Sequence, residues 1–311
     1  GILNVYGLIT LGSLASFMLY SRRFSGPINQ LSNIVADIQS ALAASERVFT
    51  VLDEADEVKD IEDATIIEDP QGEIEFKDVN FGYIENRPVI HRLNFKVKPG
   101  MRIAIVGPTG AGKTTIVNLL MRFYEPNEGE ILFDGIPIQT LKRKEYRKNY
   151  SMVLQDTWLF RGSVLDNLTY GNDTKDLNEV IEAAKKAKIH DFITKLPKGY
   201  QTEIADDATN ISKGQKQLLV MARAMLSKTK VLIFDEATSN VDTHTEIQIQ
   251  EAMQNLMKDK TSFIIAHRLS TIQNADLILV LKNGDVIEQG NHEELLKQEG
   301  FYYELFMSQF K

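Results

Sequence analysis

Gly107-Pro108-Thr109-Gly110-Ala111-Gly112-Lys113-Thr114-Thr115 is the stretch on which the reading of this chain turns. It fits the phosphate-loop pattern G-x-x-x-x-G-K-[ST]. The apolar residues 103–106 before it read as a buried strand, and the residues from Thr115 onward read as a helix. The glycines therefore stand at a strand-to-helix turn. Glycine lets the backbone wrap closely enough for successive N–H groups to point at phosphate oxygens, and the helix adds its positive end. Lys113 suits the β- and γ-phosphates, and the Thr114 hydroxyl suits Mg²⁺. The stretch implies a bound nucleoside triphosphate.

A second element of the same chemistry comes late in the chain. Val231-Leu232-Ile233-Phe234 is an apolar run of the length of a buried parallel strand, and it ends in Asp235-Glu236. An acid at that place is the usual second Mg²⁺ ligand of phosphate-loop enzymes, and an adjacent acid is placed to polarise the attacking water. Phe263-Ile264-Ile265-Ala266 is another such run and ends in His267. Residues 276–281, Asn283-Gly284 and 286–288 read as a β-hairpin with a tight turn. Residues 73–79 read as a half-exposed strand, with Phe81-Gly82-Tyr83 just beyond it.

The 311 residues suffice for one large domain or two smaller ones. The absence of cysteine excludes disulfides, thiolate metal sites and cysteine nucleophiles, and fits a reducing compartment. Residues 53–69 hold nine acids and one lysine, which accounts for the whole formal charge of −8. The remainder is balanced, so the total shows neither a nucleic-acid footprint nor a basic membrane patch.

Residues 1–21 carry no charge and are followed at once by Arg22 and Arg23. The expectation is a membrane span with the arginines at its cytoplasmic end. The chain opens without methionine, as a piece of a longer protein would. From Ile28 the apolar positions run Ile28, Leu31, Val35, Ile38, Leu42, Phe49 and Leu52, a heptad pattern for a long helix. Gly26-Pro27 is expected to bend or restart that helix. Residues 53–72, acidic and closed by Pro70-Gln71-Gly72, read as a linker and domain boundary.

The ordered set of phosphate loop, Gln155, Ile211-Ser212-Lys213-Gly214-Gln215, Asp235-Glu236 and His267 resembles the ATPase domains of ABC transporters. The match covers about residues 73–311, and the preceding helix is similar to the last transmembrane helix of exporter half-transporters. The resemblance implies an α/β phosphate-loop core with an antiparallel β subdomain and an inserted helical subdomain at about 156–227. It implies adenine stacking on Tyr83, with Gln155 touching Mg²⁺ and water. Asp235 would hold the metal sphere, Glu236 would be the catalytic glutamate, and His267 would contact the γ-phosphate. Asp242 would lie in the loop that crosses to a partner domain. Ser212, Gly214 and Gln215 would close over ATP held by that partner.

The 211–215 stretch departs from the family's Leu-Ser-Gly-Gly-Gln, because Lys213 replaces the first glycine. Ser212 still suits an N-cap for a helix from Gln215. Residues 205–208 also depart from the glycine-flanked segment common in exporters. An altered signature beside an intact Glu236 resembles one half of a heterodimeric bacterial multidrug exporter. The expectation is thus a half-transporter in the cell membrane, its ATPase domain cytoplasmic, pairing with a second half and moving a small molecule, without nucleic acid. A soluble ABC ATPase of DNA repair or translation is the alternative of another class. It would lack the uncharged opening and the long helix. A non-hydrolysing regulatory subunit would have no need of Glu236 and His267.

Overall fold

The structure is a computed structural model. It describes all residues except 1, 8, 86, 155–156, 173, 175, 206–209, 236–241, 266–271 and 310–311, and leaves the side chains of 2, 3 and 309 undescribed. The chain divides into two compact units, Gly1–Lys59 and Asp60–Lys311.

In the first unit a short helix α1 (Ile2–Val5) precedes α2 (Leu11–Leu52), with Tyr6 and Gly7 in a turn between them. Thr10 caps α2 by accepting the Ser13 N–H at 3.0 Å. The 42-residue helix runs unbroken through Pro27 and buries none of its residues. One expectation is corrected here. The helix does not restart at Gly26-Pro27, because the missing proline N–H removes one bond of a ladder that many others maintain. The uncharged opening is split by the turn and diluted by serines, so among the described residues no helix is long and apolar enough to cross a membrane.

The second unit is built on two sheets. The first is antiparallel, in the order β2 (Ile90–Val97), β1 (Ile74–Phe81), β4 (Glu128–Phe133), β5 (Ile136–Pro137). In β1 the apolar positions slip from a spacing of two to three at Val79. The cause is a bulge: pairing shifts between Phe76 and Val79, with Asp78 at φ 47°.

The second sheet has six strands. Its parallel part runs β11 (Leu277–Lys282), β3 (Arg102–Val106), β10 (Thr261–Ile265), β9 (Val231–Asp235), β6 (Tyr150–Val153), and β12 (Asp285–Gly290) adds antiparallel at the β11 edge. Asn283 (φ 51°) and Gly284 (φ 87°) turn the β11–β12 hairpin with the positive angles that a two-residue turn needs.

Strands buried on both faces sort their side chains by the period of two. Ile103, Ile105, Val231, Ile233, Phe263, Leu279 and Leu281 join one core, shared with the antiparallel sheet and with helix α3 (Lys113–Leu120). Ala104, Val106, Leu232, Phe234, Ile264 and Val280 join the other, formed with the helices. Those include α5 (Val164–Thr169), α6 (Leu177–Lys186), α8 (Lys213–Leu226) and α9 (Thr243–Met257); the short α4 (Arg143–Arg147) precedes α5 in the chain, and the short α7 (His190–Thr194) falls between α6 and α8. Helix α3, which carries the end of the glycine-rich loop, is thus packed between the two sheets.

Candidate nucleotide site

β3 delivers the loop from the centre of the sheet. After Val106 the chain turns through Gly107 (φ 152°), Gly110 (φ 81°) and Gly112 (φ 102°). Backbone angle favours glycine at all three, and at Gly107 space demands it as well. A Cβ on Gly107 would stand 2.3 Å from the Leu281 carbonyl oxygen, and one on Gly112 would stand 2.7 Å from Ile90 Cδ1. Pro108, Thr109 and Gly110 form the exposed crest, while Ala111 is buried. The Ala111 carbonyl accepts the Gly284 N–H at 3.2 Å, so the β11–β12 turn braces the loop.

Lys113 opens α3 and donates from Nζ to the carbonyls of Gly107 (2.8 Å) and Pro108 (3.0 Å). Partial burial pushes its pKa down, and the Asp235 carboxylate at the end of β9 pulls it the other way. Thr114 is exposed at the N-terminus of α3. The parallel register brings the strand ends together, with Ile265 beside Asp235 and Ile105, Val153 beside Phe234, and Val280 beside Val106. A cradle of backbone N–H groups, a lysine and a helix N-terminus suits a polyphosphate. Among the described residues no group of three acid or histidine side chains forms a metal cluster. Thr114 and Asp235 offer the oxygen donors that Mg²⁺ takes together with phosphates and water.

The expected base platform stands on the antiparallel side. The Gly82 N–H donates to Asn127 Oδ1 at 2.7 Å. Tyr83 is 45% exposed, and its ring meets Phe81 and Tyr124 edge to face, with centroids 5.0 and 4.9 Å away. Its hydroxyl donates to Thr115 Oγ1 at 3.2 Å and accepts from Asn118 Nδ2 at 2.9 Å. Sequence reasoning singled out Tyr83 and missed Tyr124, Asn127 and Asn118. Only Asn118 carried a signal, since it follows Thr114 and Thr115 by one helical turn and shares their face.

The 211–215 stretch makes a second helix end. Ser212 caps α8 in a reciprocal box, its Oγ accepting the Gln215 N–H (3.3 Å) and its own N–H donating to Gln215 Oε1 (3.0 Å). The helix starts at Lys213, two residues before the expected Gln215. Lys213 is exposed at its first position and Gly214 is buried. Asp242 caps α9 by accepting the Thr245 N–H at 3.0 Å, and that bond holds its carboxyl below the usual range. Gln155, Glu236 and His267, and residues 206–208, lie outside the described residues.

The sequence profile of the ABC transporter family matches residues 90–239. Over all 311 residues the chain is 52% identical to an uncharacterized ABC transporter ATP-binding protein of Bacillus subtilis, of which it covers 52%. It is 50% identical over 299 residues to a fatty acid ABC transporter ATP-binding/permease protein of Mycobacterium tuberculosis, covering 96% of this chain and 47% of that one. The structure of a bacterial Atm1-family ABC exporter with ATP bound matches with a TM-score of 0.78 at 39% identity, over 98% of this chain and 53% of that one. The chain spans about half the length of the curated relatives it matches. Because these relatives follow the chain from its long helix to its last strands, and β3 presents the loop such proteins need, the chain belongs to the ABC transporter family and carries its ATPase domain.

Proposed function

We propose that this ATPase domain hydrolyses ATP to drive an exporter half-transporter in the cell membrane, with the ATPase domain on the cytoplasmic side. The observation that carries the reading is the loop at residues 107–115, braced by Gly284 and holding Lys113 within electrostatic reach of Asp235. In this reading Lys113 and the loop N–H groups bind the β- and γ-phosphates and Tyr83 stacks on adenine. Thr114, Gln155 and Asp235 hold Mg²⁺, which when bound neutralises charge on the phosphates. Glu236 polarises the attacking water, with His267 and Gln155 placing water and γ-phosphate, so catalysis is mainly positioning and charge stabilisation. Residues 1–52 are the end of the membrane part, 53–72 the linker and 73–311 the nucleotide-binding domain, with its helical subdomain at about 156–227. The fatty acid transporter among the relatives supports a lipid-like cargo over other small molecules.

Glu236→Gln in the assembled transporter should leave ATP binding intact and slow hydrolysis by roughly 10²–10³-fold, whereas Lys113→Ala should weaken binding itself. Hydrolysis at the parent rate in Glu236→Gln would remove Glu236 from the base role.

The exposed Lys213 at the head of α8 supports a heterodimer. In a head-to-tail pair this stretch closes over ATP held by the partner, and a cation retains triphosphate while its bulk hinders the close approach that hydrolysis needs. One site then turns over and the other is slow. In a mixed complex at saturating ATP, Glu236→Gln in this chain should abolish nearly all turnover, and the equivalent change in the partner should cost little. Equal losses would make the two sites equivalent.

A further inference from the structure

Three side chains link the base platform to the phosphate loop, and their chemistry gives the link a direction. The Asn118 amide nitrogen only donates, so the Tyr83 oxygen accepts from it at 2.9 Å. The Tyr83 proton is then committed to Thr115 Oγ1, 3.2 Å away. Having accepted that bond, the Thr115 hydroxyl keeps its own proton for another acceptor. Thr115 closes the phosphate loop and is only 5% exposed, so its proton goes to an acceptor of the loop itself or to a ligand seated on the loop. Phe81 and Tyr124 hold the Tyr83 ring edge-on but do not fix its hydroxyl.

We propose that Asn118 is a positioning residue for purine triphosphate binding. It sets the polarity of a relay, Asn118 to Tyr83 to Thr115, that ties the base-stacking ring to the phosphate-binding helix and keeps the Thr115 hydroxyl a donor to a phosphate oxygen. The proposal rests on the reading of Tyr83 as the adenine platform. It adds that the tyrosine hydroxyl matters as well as the ring. Stacking alone makes phenylalanine as good as tyrosine at position 83; the relay does not.

The test is ATP binding to the full chain by calorimetry, with KM and kcat measured in the assembled transporter. Tyr83→Phe and Asn118→Leu should each weaken ATP binding about three- to tenfold, the scale of one hydrogen bond, and raise KM more than they lower kcat. The double variant should be no worse than either single change, because each breaks the same relay. Asn118→Asp keeps the shape but can only accept, so it should bind ATP no better than Asn118→Leu. Parent affinity in Tyr83→Phe, or additive losses in the double variant, would overturn the relay. Parent affinity in Asn118→Asp would overturn its polarity. Tyr83→Ala separates the two layers: if it binds ATP as the parent does, the platform reading fails. If it binds weakly while Tyr83→Phe and Asn118→Leu bind normally, only the relay fails.

Discussion

Asp134, just after β4, holds the segment that leads into β1 with one carboxylate. Its two oxygens accept the N–H groups of Gln71 (2.8 Å), Gly72 (3.0 Å) and Glu73 (2.7 Å). The residue sits at φ 51°, an angle that aspartate and asparagine tolerate better than most side chains. Asp134→Asn keeps that tolerance but loses one acceptor and the charge. It should lower stability by about 1–3 kcal/mol in urea unfolding, and Asp134→Ala should lose more because it adds backbone strain. Nothing near residue 134 in the sequence announces this role, since the partners lie some sixty residues away. Lys113 and the loop glycines were legible because their pattern is local and their chemistry is narrow. Tyr83 was legible only through the family resemblance. Asn118 and Tyr124 act through partners that only the fold supplies.

Elements were easier to place than their ends. The strands around the site read correctly as short apolar runs, and the Asn283-Gly284 hairpin carried its own turn signal. The opening segment is uncharged, yet among the described residues no helix is long and apolar enough to cross a membrane, because absence of charge is a weaker property than sustained hydropathy. At the far end of α8, opposite its Ser212 cap, Lys260 lies against the last carbonyls. Its Nζ is 3.5 Å from the Ala224 oxygen, 3.4 Å from the Ser227 oxygen and 3.3 Å from Thr229 Oγ1. Burial pushes its pKa down to about 8. Between that value and the ordinary lysine range near 10.5 the unfolded chain binds more protons than the folded one, so this group makes stability rise with pH. The cost of the buried charge is fully present below pH 8 and fades toward pH 10.5. Relative to Lys260→Met, the parent should therefore gain roughly 1–3 kcal/mol across that window in unfolding measured at several pH values, less than the full shift because the side chain is only partly buried. A flat difference would mean that the charge is solvated.

At the scale of the whole molecule, the loop depends on strands far from it in sequence. β3 lies between β10 and β11, with Ile105 paired to Ile265 and Val106 to Val280. Gly107 has no room for a methyl group because the Leu281 carbonyl oxygen occupies that place. Gly107→Ala should cost roughly 2–5 kcal/mol in thermal or denaturant unfolding and remove nucleotide binding with it. Parent stability would show that the loop and β11 can separate without penalty. A chain ending after Met257 keeps the whole glycine-rich motif and lacks both neighbours of β3, so it should not retain ATP in equilibrium dialysis.

The same strand order sets a timetable during synthesis. A ribosome adding about 5–20 residues per second needs roughly 10–30 s to go from the lysine of the loop to the end of β11. Throughout that interval the nascent protein has written its ATP-binding motif but lacks the complete β11, whose Leu281 carbonyl oxygen packs against Gly107. Nucleotide in the cell therefore cannot assist the early stages of folding, and it can reward only a chain whose β11 has already been made.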